Sequence, residues 1–319
     1  MSESTALVAT EAHEEQEEVA CPLCGERSSR LVLYGRDRLF ARPGKYRIVA
    51  CSTCELRYLS PRPTLAALGA HYPSSYFIYQ RPDDLPAWTR SMAQKFSALR
   101  WQESLARLER VTGRLQPDAK VVDVGCGLND YLVYLKALRG IEGIGVDFKP
   151  ELAEYAREQL HMTVHSGTLQ DVAFPDGEFD IVAMNEYLEH EPDPRGVLRE
   201  ARRITRPGGY LTIEVPCVES LPARMFGSCW SQVDSPRHLI HFTEKTLTEM
   251  LRREGWELVH TQTFGIPYVI GFSVLQALGF RHLGRLTAWE RALAMLVSLP
   301  FILIAPLVDE FRFAVARAV

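Results

Sequence analysis

The sequence predicts an α/β fold: a doubly wound, mostly parallel sheet behind a small metal-held module at the N-terminus. Two observations carry that prediction. From Ala119 onward, strand-like and helix-like segments alternate in the rhythm of parallel strands joined by crossovers. Ahead of them four cysteines fall in two CxxC pairs, in a chain whose seven cysteines do not suggest a secreted disulfide framework. With 319 residues and a formal charge of -4, the chain has room for one large domain plus small modules and carries no basic footprint for nucleic acid.

The first 18 residues are acidic and polar, with no basic stretch followed by an apolar core. They read as a disordered tail and favour a cytoplasmic location. Residues 19–60 hold "CPLCG" (Cys21, Cys24) and "CSTC" (Cys51, Cys54), with 26 residues between the pairs. Each CxxC turn aims two thiolates at a point about 2.3 Å away, and two such turns complete a tetrahedral zinc site with no open position, so the zinc is structural. The β-branched and aromatic residues between the pairs, broken by Pro43-Gly44, fit short hairpin strands, and the module reads as a zinc ribbon. Residues 61–112 form a Pro- and Tyr-rich connector and a helical lid that runs to Gly113.

The third unit covers residues 113–319. Strands are expected at "KVVDVG", "IEGIGVD", "MTVHSG", "FDIVAMN", "GYLTIEV" and "WELVHTQTF", with helices starting near Asn129, Pro150, Asp193 and Thr243. The stretch "VVDVGCGLND" ends its strand in Gly-Cys-Gly, but Asn129 stands where a third glycine is expected and Asp130 excludes the dinucleotide-binding fingerprint.

This region resembles the class I S-adenosylmethionine (SAM) dependent methyltransferases, which implies a Rossmann-like seven-stranded sheet. The matching residues are Asp123, Gly125 and Gly127 in the turn, Asp147 closing "GIGVD", "EFDIVAMNEYLEH" at the fourth strand, and "EARRITRPGGYLTI" before the fifth. The resemblance implies that the glycine turn lies against the methionine part of SAM, that Asp147 holds the ribose, and that Phe148 and Leu169 wall the adenine. Thr168 stands where many relatives have an acid, and Asn129 where they have glycine, a residue type that tolerates left-handed backbone. Asn185 and His190 leave the fourth strand on the face where ligands gather.

The loop "CWSQVDSPRHLIHFT" places Asp234, His238 and His241 on that same face, a set suited to proton handling. Together with the CxxC pairs, Tyr72 and Tyr76, it is similar to the zinc-containing sugar C-methyltransferases. That similarity implies His238 as the catalytic base and Tyr76 as a cofactor-covering residue, although Arg237 and Ser235 replace the family's glutamate and tyrosine. His238 is expected to serve near neutral pH without a large pKa shift.

Finally, "FRFAVARAV" reads as the seventh and edge strand. The apolar residues at about 266–309 then form a helical insertion between strands six and seven, over the active site, suited to peripheral membrane contact or to a homodimer. The expected activity is methylation of a hydroxyl or carbon on a small acceptor such as a sugar, a secondary metabolite or a lipid-like intermediate. A macromolecular methyltransferase and a non-catalytic SAM-binding scaffold are the alternatives.

Overall fold

The computed structural model describes residues 15–73, 87–280 and 309–319, with isolated positions between 289 and 300. Tyr76 and most of the second apolar stretch lie outside the described residues.

The N-terminal module contains β1 (Gln16–Glu17), β2 (Ser29–Gly35), β3 (Tyr46–Cys51), β4 (Arg57–Leu59) and β5 (Arg62–Pro63), followed by α1 (Leu65–Leu68). β2, β3 and β4 form an antiparallel meander, and β1 pairs with β5. Residues 15–18, expected within a disordered tail, are thus part of the module. Arg62 Nε donates to Glu17 Oε1 at 2.8 Å and Ser60 Oγ to Glu18 Oε2 at 2.8 Å, fixing these residues on the module. Next comes α2 (Ala87–Thr112), which stops at Gly113, whose φ of 75° is the left-handed conformation of a helix end.

The main sheet is built from β6 (Val121–Val124), α3 (Asp130–Arg139), β7 (Ile144–Asp147), α4 (Pro150–Tyr155), β8 (Thr163–Ser166), α5 (Leu169–Val172), β9 (Phe179–Asn185), α6 (Pro194–Ile204) and β10 (Thr205–Pro216). There follow α7 (Leu221–Phe226), β11 (Ile240–His241), α8 (Glu244–Arg253), β12 (Trp256–Phe264), α9 (Pro267–Ala277) and β13 (Phe311–Ala318). Its seven strands lie in the order β8-β7-β6-β9-β10-β13-β12, and only β13 runs against its neighbours. β6 and β9 are adjacent, so the strand order reverses between them, and a crevice opens at their carboxyl ends.

Alternation along β6 shows how the sheet is covered. Val121 packs with Leu105, Leu108, Tyr131 and Leu135 of α2 and α3, whereas Val122 and Val124 join Val197, Leu198, Met250 and Leu251 of α6 and α8. β13 corrects the edge assignment. It is laddered on both sides, and Phe311, Phe313, Val315 and Ala316 are all buried, so β12 takes the edge instead.

The N-terminal module shares its core with the main domain. β11, from the loop after β10, pairs antiparallel with β4 and becomes the fourth strand of the ribbon's sheet. Leu59 N donates to Leu239 O at 2.9 Å, and Tyr46, Ile48 and Tyr58 sit in one apolar cluster with Trp230, Leu239 and Phe242. The ribbon thus holds the loop that carries Asp234, His238 and His241.

The insertion between β12 and β13 begins as α9, which lies against the same loop. Ser231 N donates to Ser273 Oγ at 2.9 Å, and Ser231 Oγ to Val269 O at 3.3 Å. Among the described residues no helix is long and apolar enough to cross a membrane.

Candidate active site

At the end of β6 the chain turns through Gly125, Gly127 and Asn129 with φ of 73°, 52° and 64°. All three are left-handed, so Asn129 does the conformational work of the third glycine. Its wholly buried side chain fills the space that Gly145 leaves open, where a Cβ would come within 2.7 Å of Asn129 Oδ1. The turn is stitched to β7: Gly125 N and Cys126 N both donate to Val146 O, and Gly127 N donates to Asp147 Oδ2 at 3.0 Å. A Cβ on Gly125 would meet Tyr187 Cδ2 at 2.4 Å, so glycine there also admits the Tyr187 ring.

Two buried carboxylates floor this half of the crevice. Asp147 accepts Gly127 N on one oxygen and Lys149 N on the other, each at 3.0 Å. A carboxylate has about four acceptor positions, so it keeps capacity for a diol. Burial raises the Asp147 pKa despite those two bonds. Asp123 accepts from Asn185 Nδ2 at 3.2 Å, and burial pushes its pKa up to about 8.

Around them, Phe148 is half exposed and meets Tyr72 edge-on at 5.7 Å. Thr168 caps α5, its hydroxyl donating to Asp171 Oδ2 at 2.7 Å, so its side chain is committed to the helix end. Leu169 corrects the expectation of an open adenine wall, since it is wholly buried in the core.

The second half of the crevice is a histidine cluster. His190, in the short helical turn after β9, has Nδ1 2.9 Å from Tyr72 Oη and 3.1 Å from Arg237 O. His238 Nδ1 lies 2.8 Å from Gln232 O, and its Nε2 is 4.0 Å from Asp234 Oδ2. The rings of His190 and His238 are 4.5 Å apart, and that of His241 lies 6.4 Å beyond. His241 is buried in β11 with its Nε2 unpartnered among the described residues.

Burial lowers all three histidines: His190 and His241 to about 4, and His238 well below its usual range with the other two rings adding to the effect. The expectation that His238 titrates near neutrality without a large shift is thereby corrected, and it stands neutral at pH 7. Glu189, beside them, is 1% exposed with both carboxylate oxygens unpartnered among the described residues, and burial raises its pKa strongly.

The loop is held by a buried pair that sequence reasoning missed. Arg237 Nη1 and Nη2 donate to Asp37 of the ribbon at 3.2 and 3.0 Å, while Arg237 Nε donates to Asp234 Oδ2 at 2.9 Å. Burial opposes ionisation of Asp37, but hydrogen bonds from His71 and Arg237 outweigh it and hold its pKa below the usual carboxylate range. The partners stand 200 positions apart in the chain, so no local pattern announces them. A second anchor is Arg100 of α2, which reaches Glu186 and donates to Glu214 Oε2 at 3.1 Å, beneath the ends of β9 and β10.

At the far side of the ribbon, Cys21, Cys24, Cys51 and Cys54 bring their sulfurs within 4.8 Å of one another, the closest at 3.4 and 3.5 Å. Gly25 and Glu55, with positive φ, close the two knuckles.

Comparison with known proteins decides the family. A profile described as a methyltransferase domain matches residues 93–261, more than half of the chain, from within α2 through most of β12. The chain belongs to this methyltransferase family. Its seven-stranded order with one reversed strand and its glycine turn facing Asp147 are those of a class I SAM-dependent methyltransferase, and SAM is its cofactor. A demethylmenaquinone methyltransferase of Listeria welshimeri is 27% identical over 176 residues, covering 52% of this chain and 70% of its own. A ubiquinone biosynthesis O-methyltransferase of Xanthomonas axonopodis is 39% identical over 115 residues, covering 33% and 46%. A solved structure assigned as a sarcosine dimethylglycine methyltransferase of Galdieria sulphuraria superposes with a TM-score of 0.50 at 18% identity, over 69% of this chain and 85% of its own, a likeness of fold.

Proposed function

We propose that this methyltransferase acts on a hydroxyl, or an acidic carbon, of a small and partly apolar acceptor. Of the two sequence relatives named above, one is a demethylmenaquinone methyltransferase and the other a ubiquinone biosynthesis O-methyltransferase, and the net charge of -4 offers little to a polyanion. When bound, SAM supplies a methyl group already activated on a sulfonium. The protein is left to align the acceptor and to remove a proton.

One observation carries this reading. The Tyr72 ring meets Phe148 on the cofactor side at 5.7 Å and His190 in the histidine cluster at 6.1 Å, so a single side chain joins the two halves of the crevice. In the cofactor half, Gly125, Gly127, Asp123 and Asn185 line the place for the amino-acid part of SAM, with Asp147 and Phe148 taking the ribose and the adenine face. In the acceptor half, His238 is the candidate base. Its Nδ1 hydrogen is spent on Gln232 O, which leaves Nε2 with a lone pair for the acceptor's proton. Asp234 orients the loop through Arg237, and the buried His241 packs beneath it.

The four cysteines fit a zinc ion. Sulfurs bonded at about 2.3 Å in a tetrahedron lie roughly 3.8 Å apart, close to the spacings seen here. With four sulfur ligands the ion is structural, and the ribbon acts as the brace of the catalytic loop. Helix α9, whose Ser273 Oγ and Val269 O hold Ser231 of the same loop, brings apolar residues beside that loop, which favours a lipid-like or aromatic acceptor over a free sugar.

The test is transfer of a labelled methyl group from SAM to a panel of phenols, quinols and sugars, comparing wild type with His238→Ala. The variant is expected to keep its affinity for SAM and to lose roughly 100-fold or more in turnover. Equal turnover in the two proteins would remove His238 from the mechanism.

A further inference from the structure

We infer that Glu189, His190 and His238 form a second metal site, distinct from the four cysteines, that takes a divalent first-row transition ion at the acceptor end of the crevice. One donor atom from each of the three residues lies within 4.8 Å of the other two, and all three come from backbone that is fixed in place. Leu239 N donates to Glu189 O at 2.8 Å, and His238 N to Asp234 O at 3.0 Å.

The hydrogen bonds around the two rings are those of metal-ligating histidines. A backbone carbonyl can only accept, so Gln232 O places the ring hydrogen of His238 on Nδ1, while His190 Nδ1 is held between Arg237 O at 3.1 Å and the Tyr72 hydroxyl at 2.9 Å. His238 is left with an Nε2 lone pair, and the orientation of both rings is set by bonds to the protein. Two imidazoles and one carboxylate form a donor set suited to first-row divalent ions, and it leaves coordination positions open.

Glu189 supplies the independent observation. Both its oxygens lack a hydrogen-bond partner among the described residues although the residue is 1% exposed, an arrangement that costs stability unless something binds there. A cation resolves this cost. Around the site the carboxylates of Glu186, Glu214, Asp234 and Asp37 face the two guanidinium groups of Arg100 and Arg237, which leaves a net negative surrounding before Glu189 is counted.

This inference rests on the methyl-transfer reading above and refines it. An ion bound here uses the Nε2 lone pair of His238. In the loaded enzyme His238 is therefore a ligand in place of the base, and the ion's open positions would hold the acceptor oxygen and make it acidic enough to release its proton to water.

The experiment uses the full-length, zinc-loaded protein, dialysed against Co2+ and then freed of excess. The expected result is one cobalt per chain beyond the zinc, with d–d absorption and without the intense charge-transfer bands of cobalt thiolate. Glu189→Gln keeps the shape of the side chain and is expected to weaken cobalt binding at least 100-fold, while leaving far-UV circular dichroism and SAM affinity unchanged. No cobalt uptake, uptake only with thiolate bands, or uptake unaffected by Glu189→Gln each overturns the site. A protein that transfers methyl groups without taking up cobalt refutes this site alone. One that takes up cobalt yet transfers no methyl group refutes the acceptor reading alone.

Discussion

Replacing Asp37 with alanine removes a ribbon carboxylate that touches no residue of the cofactor half, yet the structure requires the change to reach the active-site loop. Asp37 and Arg237 are 3% and 0% exposed, and the carboxylate takes both guanidinium nitrogens at 3.0 and 3.2 Å. Breaking a buried pair by deleting one partner costs about 3–5 kcal/mol, because the remaining charge is left in a medium that solvates it poorly. Asp234 still faces Arg237, which puts the expected loss at the lower end, about 3 kcal/mol. For a chain of this size that corresponds to a fall in Tm of roughly 4–5 °C. The loop also loses its tie to the ribbon next to His238, so turnover is expected to fall roughly tenfold or more, as misplacement of a reacting group does, with SAM affinity nearly unchanged. Scanning calorimetry, SAM titration and a methyl-transfer assay on one preparation read all three quantities. A variant with wild-type Tm and wild-type turnover would refute the bracing role of the ribbon.

Other consequences follow from the same geometry. Asp123, pushed by burial to about 8 from the model-peptide value of 3.8, holds a proton in the folded protein that the unfolded chain gives up. Its contribution to stability is therefore fully present below about pH 4 and is lost as pH rises through 8, which urea titrations across that range will read. Because the cationic SAM favours the ionised form, SAM affinity should rise with pH up to about 8, and calorimetry in two buffers of different ionisation enthalpy should detect proton release on binding. A flat pH profile would mean that Asp123 does not face the ligand. Gly125→Ala forces a left-handed φ onto alanine and a Cβ into Tyr187, at a cost of roughly 1–3 kcal/mol together with loss of SAM binding in titration. Removing zinc with a chelator, or replacing Cys54 with serine, should unfold the ribbon and lower turnover, because β11 loses its partner β4. Hydrogen exchange at Leu59, whose N–H donates to Leu239 O, would show the opening directly, and protection there unchanged by the chelator would contradict the coupling.

The parts of the fold that the sequence made legible are those whose physics is local. The strands at Val121–Val124, Ile144–Asp147 and Phe179–Asn185 are short apolar runs bounded by turn residues, and each lies where the pattern placed it. The helix starts at Asn129, Asp193 and Thr243 were readable for the same reason, as was the CxxC spacing of the ribbon. The interior position of Phe311–Ala318 was not, because alternation identifies a strand without naming its neighbours. Nor was β11, whose two residues form a strand only because β4 is there to pair with them. In the candidate site, Asp123, Asp147 and the glycine turn were visible as a motif. The Asp37–Arg237 pair and the convergence of Glu189 with His190 and His238 depend on tertiary packing across distant segments, as do the burial-driven shifts of the three histidines.

The central claim is that the crevice between β6 and β9 binds SAM through the Asp147 carboxylate. Isothermal titration of zinc-loaded protein with SAM and with S-adenosylhomocysteine, wild type beside Asp147→Ala, tests it most directly. Loss of two charge-assisted hydrogen bonds at about 1.5–3 kcal/mol each predicts a fall in affinity of roughly 100-fold or more. Equal affinity in the two proteins, or no binding by wild type, would contradict the account.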